Sequence, residues 1–186
     1  MRVVGGSLRG RPLASPPSDA IRPTSDRLRE SLFNILEHAY ADPVTGARVI
    51  ELFAGTGALG IEALSRGATY ALFVDNGAEA RAVLRDNVEH LGLGGVTRIF
   101  RRDATRLGPM APQPAFTLAF LDPPYGRGLA SSALQSLSEG GWLAPGALCL
   151  IEERADDALD LPVGFSRLER RVWGDTQAVF ACFGTR

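Results

Sequence analysis

The sequence predicts an α/β fold, a mostly parallel sheet with helices on both faces and a terminal hairpin that adds one antiparallel strand. Three observations carry this. From residue 48 onward, short apolar runs alternate with segments of helical periodicity. A glycine-rich loop, Gly55-Thr56-Gly57-Ala58-Leu59-Gly60, joins the first apolar run to the helix after it. Two final runs, 165–173 and 177–183, are separated by Gly174-Asp175-Thr176, a hairpin signal.

Taken in order, residues 1–24 are rich in Gly, Pro and Arg and read mainly as loop, with short extended pieces at 2–4 and 11–14 that can pair as a hairpin. Thr24-Ser25-Asp26 supplies N-cap candidates and an acidic first turn. Leu28, Leu32, Ile35, Leu36 and Ala39 follow at helical spacing, and that helix ends before Asp42-Pro43. Strands are then expected at 48–53, 70–75, 96–101, 116–121 and 147–153. Helices are expected at 58–66, 78–91 (stopped by Gly92) and 130–138. The repeated β-α units demand parallel pairing with crossovers. The chain reads as one domain over 1–186, with 1–40 an arginine-rich extension packed on it.

Apolar residues make up 45% of the chain, charged residues 22%, and the net charge is −1. This is an ordinary globular composition. No apolar run reaches membrane-spanning length and no charged-then-apolar leader is present, so a cytoplasmic protein with no membrane partner is expected. Cys149 and Cys182 lie in apolar strand-like runs and read as buried thiols, and no Cys/His cluster has metal spacing. His38 and His90 read as helix-end residues. All 20 basic residues are arginine. Six fall within the first 29 positions against Asp19 and Asp26, giving that stretch a charge of +4. One face that meets a polyanion, or a solvated arm with no partner, both follow from such an asymmetry.

Gly55, Gly57 and Gly60 match G-x-G-x-x-G, and Asp75 follows 18 residues after Gly57 at the end of the next strand. A dinucleotide site is one reading. Glu51 bears on the choice, because a carboxylate beside the loop repels a pyrophosphate placed at the helix N-terminus. S-adenosylmethionine has no phosphate and carries an ammonium and a sulfonium, so an acidic neighbour suits it. Asp75 can accept from ribose hydroxyls, and Asp103 is placed to accept from an adenine amino group. Glu51, Asp75, Asp103 and Asp122 thus stand at successive strand ends, where open parallel sheets bind ligands.

Asp122-Pro123-Pro124-Tyr125 follows the apolar run 116–121. Proline fixes φ and holds the residue before it extended. The Asp122 carboxylate and the carbonyls of Asp122 and Pro123 therefore point in set directions beside an aromatic ring. Such a loop suits a flat ring with an exocyclic amine, a nucleobase. Asp122 and the Pro123 carbonyl can each accept one N–H, aiming the nitrogen lone pair at a methyl donor, while Tyr125 stacks on the base. The base must be unpaired or flipped to reach the loop.

Residues 51–60, Asp75, Asp103 and 122–125 resemble the class I S-adenosylmethionine-dependent methyltransferases. With Val4-Gly5-Gly6, Arg9-Gly10-Arg11 and the run 22–34 (RPTSDRLRESLFN), the chain is similar to the bacterial 16S rRNA guanine-N2 methyltransferase family. The resemblance implies a Rossmann-like seven-stranded sheet with the last strand antiparallel. It also implies transfer of one methyl group to a guanine N2 amine in 16S rRNA of the small ribosomal subunit. Under it, Asp122, Pro123, Pro124 and Tyr125 carry catalysis. Glu51, Phe53, Ala54, Gly55, Gly57, Asp75, Asn76, Asp103, Ala104 and Thr24 hold S-adenosylmethionine. Arg9, Arg11, Arg22, Arg27 and Arg127 contact RNA phosphates, which positions the RNA without reading sequence. Arg22, Thr24 and Arg27 can instead close over the cofactor. No metal is implied. The competing readings are a DNA adenine-N6 methyltransferase, whose acceptor loop has the same chemistry, a nicotinamide dehydrogenase, and a non-catalytic RNA-binding module.

Overall fold

The computed structural model describes residues 1–15 and 25–184. Seven strands form one sheet: β1 (Arg48–Leu52), β2 (Tyr70–Val74), β3 (Thr97–Phe100), β4 (Phe116–Leu121), β5 (Leu143–Arg154), β6 (Phe165–Trp173) and β7 (Thr176–Phe183). Their order is β3-β2-β1-β4-β5-β7-β6. The first five pair in parallel, and β7 runs antiparallel to both its neighbours. The hairpin thus brings both its strands into the sheet, with β7 slotted between β5 and β6.

Among the described residues, four helices, α1 (Asp26–Ala39), α2 (Ala58–Ser65), α3 (Ala78–His90) and α4 (Leu129–Glu139), cover the sheet. Alternation along the central strands sends side chains to opposite faces. Leu118 and Phe120 of β4 join Leu32, Phe33 and Leu36 of α1 in one core cluster. Ala119 and Leu121 join Ala133, Leu134 and Leu137 of α4 in the other. Strands buried on both faces read as continuous apolar runs, which is why 116–121 was recognisable. Cys149 and Cys182 are buried free thiols, and burial pushes the Cys149 thiol well above its ordinary range.

Two elements depart from expectation. β5 begins at Leu143 rather than 147, because Phe116 pairs with Leu143 ahead of an irregularity at Phe116/Leu118. Pro145-Gly146 thus sits inside an irregular strand. The amino-terminal hairpin reduces to a single bridge, Arg2 with Pro12, around a short 3₁₀ turn at Gly6–Leu8.

That segment is nevertheless firmly docked on α2. The Glu62 carboxylate is fully buried and accepts from the Val4 and Gly5 amides at 2.8 and 2.7 Å. Arg66 pairs with it at 2.8 Å and the buried Arg29 at 3.6 Å. Gly6 has φ +73, and a Cβ there would lie 1.9 Å from the Ser65 carbonyl oxygen, so only glycine fits. Removing one partner from such a buried charge group costs about 3–5 kcal/mol.

Candidate active site

A cavity of about 650 Å³ opens beyond the carboxyl ends of β1, β2 and β4. Its wall on one side is the glycine loop. Glu51 is the penultimate residue of β1, its side chain buried, and its Oε2 accepts from the Gly60 amide at 2.7 Å. Burial pushes the Glu51 carboxyl up to about 8, against the pull of the Gly60 and Leu59 amides and of Arg29. Asp75 stands one residue past β2. Its two oxygens accept from the Gly55 amide at 2.9 Å and the Gly77 amide at 2.7 Å. The carboxylate therefore staples the glycine loop to the start of α3.

The loop itself is tightly constrained. Phe53 has φ 56, a left-handed conformation that costs a non-glycine residue on the order of 1–3 kcal/mol and gathers at functional sites. A Cβ on Gly57 would lie 2.3 Å from Leu84, and one on Gly60 would lie 2.5 Å from the Phe73 ring and 2.7 Å from Glu51 Oε2. Packing of α2 against β2 and α3 thus already requires two of the three glycines. The behaviour of the loop, not the glycine count, points to a ligand: Phe53, Ala54, Gly55 and Thr56 turn toward the cavity.

The opposite wall is Asp122, Pro123, Pro124 and Tyr125. They follow the last β4 residue, Leu121, which is paired with Leu52 on one side and Ile151 on the other. Pro123 is buried, Asp122 and Tyr125 are half-buried, and Pro124 is exposed. The Tyr125 hydroxyl donates to Glu152 at 3.4 Å, and the Gly126 amide donates to Asp157 at 3.1 Å, tying the loop to the end of β5 and the segment after it.

The structure brings together Glu51, Phe53, Ala54, Gly55, Asp75, Asn76 and residues 122–125 in this one cavity. Gly57 stands behind it as the N-cap of α2. Asp103 and Ala104 do not line it. β3 ends at Phe100, so Asp103 lies two arginines beyond the strand, exposed, and its Oδ1 accepts from the amide and hydroxyl of Thr105 at 2.9 and 2.7 Å. Those bonds hold its carboxyl below the usual range. Thr24 and Arg22 lie outside the described residues. Arg9 and Arg27 meet with Arg2 around a second, polar cavity of about 340 Å³ that also contains Asp26 and Glu30. Arg11 and Arg127 are exposed and lie away from it; Arg11 donates to the His90 carbonyl.

Sequence reasoning missed Glu79, in the first turn of α3, which lines the cavity. An acid at a helix start following a strand-end Asp was its only signal. Asn87 was also missed. It is buried, donates to the Thr56 carbonyl at 3.0 Å and the Ala14 carbonyl at 3.2 Å, and accepts from the Ala14 amide at 2.7 Å. One side chain therefore joins the amino-terminal segment to the glycine loop, and nothing local in the sequence announces so long-range a contact.

The donor set decides which ligand the cavity suits. Glu51, Asp75, Glu79 and Asp122 line it, and none of the described lining residues is basic. Such a wall disfavours a pyrophosphate and fits a cationic, phosphate-free ligand such as S-adenosylmethionine.

A parallel sheet with strand order β3-β2-β1-β4-β5-β7-β6, an antiparallel β7 and a cavity at its carboxyl edge is the fold of the class I methyltransferases. The chain belongs to the family described as Conserved hypothetical protein 95, whose profile matches residues 1–182. It is 36% identical to Ribosomal RNA small subunit methyltransferase D of Escherichia coli strain K12 over 175 residues, 94% of this chain and 85% of that protein. The protein of the same name from Haemophilus influenzae is 34% identical, with 94% and 89% covered. Among solved structures, the Escherichia coli protein yhhF superposes with a TM-score of 0.83 at 33% identity, covering 100% of this chain and 99% of that one. The resemblance read from the motifs is borne out at the level of family and fold.

Proposed function

We propose that this chain methylates rRNA of the small ribosomal subunit, using S-adenosylmethionine, and that the atom modified is the exocyclic N2 of one guanine in 16S rRNA. The observation that carries the reading is the cavity, with a carboxylate-lined glycine loop on one wall and the Asp122-Pro123-Pro124-Tyr125 loop on the other. The rRNA substrate is supported by relatives named small subunit rRNA methyltransferases.

In this reading Glu51, Phe53, Ala54, Gly55, Asp75 and Asn76 would hold the cofactor. When bound, S-adenosylmethionine supplies an electrophilic methyl group on a sulfonium, with a neutral thioether as leaving group. The remaining work falls to the chain. Asp122 and the Pro123 carbonyl accept the two N–H bonds of the target amine. This turns the nitrogen lone pair toward the donor, and positioning of this kind supplies up to roughly 7–11 kcal/mol in ideal cases. The Asp122 carboxylate stabilises positive charge as it develops on nitrogen, and the methylated nitrogen then releases one proton to Asp122 or to water. Tyr125 stacks on the flipped base, worth about 1–3 kcal/mol. Arg2, Arg9 and Arg27 form an exposed basic edge for RNA phosphates.

The test is incubation of labelled S-adenosylmethionine with undermethylated small subunits, free rRNA and DNA. Label in an RNA fraction, recovered as N2-methylguanosine, is expected. Absence of label from every RNA fraction overturns the proposal, and label in DNA adenine instead favours the adenine-N6 reading.

A further inference from the structure

The acceptor loop by itself fits any exocyclic amine, guanine N2 or adenine N6. One place to select between them is the neighbouring ring atom, N1, which carries a hydrogen in guanine and a lone pair in adenine. Only an acceptor favours guanine there.

β5 supplies one. Leu121 pairs with Ile151, so Asp122 and Glu152 stand one position further along adjacent parallel strands and project to the same face of the sheet. That face carries Phe120, Leu150 and Glu51. Glu152 is 5% exposed, and its Oε1 meets the Tyr125 hydroxyl at 3.4 Å. A buried carboxylate therefore lies beside the acceptor loop, on the side of β4 away from the glycine loop. Its neighbour Glu153 projects to the opposite face, beside Asp157.

We infer that Glu152 is the specificity-determining residue of this site, its carboxylate accepting N1–H of the target guanine while Asp122 and the Pro123 carbonyl accept from N2. The inference rests on the proposed rRNA guanine activity and deepens it. Adenine or 2-aminopurine presents a lone pair to this carboxylate and leaves a buried acceptor facing an acceptor. Sites built around a polar partner reject analogues lacking it by large factors, on the order of 10⁴ in favourable cases.

The test uses small subunits reconstituted on 16S rRNA carrying either guanine or 2-aminopurine at the modified position. 2-Aminopurine keeps the reacting amine and lacks N1–H. The wild-type protein is expected to prefer guanine by about 10²-fold or more. In Glu152→Gln the amide can donate to N1, and the guanine/2-aminopurine ratio is expected to fall at least about tenfold. Glu153→Gln, on the other face, is expected to leave the ratio unchanged. If Glu152 only props Tyr125, both substrates decline together in Glu152→Gln and the ratio stays put, which overturns the inference alone. If the wild-type protein methylates neither substrate, the rRNA reading itself fails and this inference fails with it.

Discussion

The two walls of the cavity are built on different principles. On the β1–β2 side, the chain satisfies itself: Glu51 takes the Gly60 amide, and Asp75 takes the Gly55 and Gly77 amides. On the β4–β5 side, two prolines leave carbonyls with fixed directions, and Tyr125 of the loop after β4 donates to Glu152 of β5. The first wall is a scaffold whose shape its own hydrogen bonds maintain. The second presents acceptors set by covalent geometry. If this contrast is right, damage to the first wall reads out in folding and cofactor binding, and damage to the second reads out in turnover.

The largest expected effect lies on the second wall. Asp122→Ala is expected to retain cofactor affinity by calorimetry and to lose methyl transfer by on the order of 10²–10³-fold in a labelled-methyl assay. Parallel loss of binding would erase the distinction between the walls. Next comes Gly60→Ala, which forces a methyl group into Phe73 and Glu51. It is expected to destabilise the protein by about 1–3 kcal/mol in denaturant unfolding and to weaken cofactor binding with it.

Glu51 sharpens the comparison through pH. Its folded pKa is raised from 4.5 to about 8, so the folded state keeps a proton that the unfolded state releases. Stability from this group is full below about pH 4.5 and is lost as pH rises through about 8, at up to about 1.4 kcal/mol per pH unit inside that window. Thermal unfolding of Glu51→Gln is expected to decline less over that range than the wild type. A cation arriving beside Glu51 favours its ionised form, so cofactor binding near neutral pH is expected to release protons. Calorimetry in buffers of different ionisation enthalpy measures this, and Glu51→Gln is expected to abolish it. The smallest effect is at the periphery. Arg9→Ala is expected to weaken RNA binding uniformly across sequences and to lower the salt slope by about 1, leaving cofactor binding unchanged.

The two walls also differed in how readable they were. Continuous apolar runs placed β4 and the parallel order, because doubly buried strands are continuous hydrophobic stretches, whereas the largely exposed edge strand β6 was placed by the Gly174-Asp175-Thr176 hairpin signal. The acceptor loop was legible because Asp-Pro-Pro-Tyr constrains its own backbone. The glycine loop was legible too, though for a mixed reason, since Gly57 and Gly60 answer to packing against Leu84 and Phe73. Asp103 stands outside the cavity lining because β3 ends at Phe100, three residues before it. Asn87, the Glu62 cluster and Glu152 were invisible as functional neighbours. Their partners lie 73, 58 and 27 residues away in sequence, and only the folded sheet brings them together.

The most direct test of the central claim is to map modified nucleotides by mass spectrometry in 16S rRNA from cells with and without this protein. One guanine is expected to lose its N2-methyl group when the protein is absent, to regain it with the wild-type chain, and to stay unmodified with Asp122→Ala. Identical 16S rRNA in both strains, or a missing methyl on an adenine, contradicts the account.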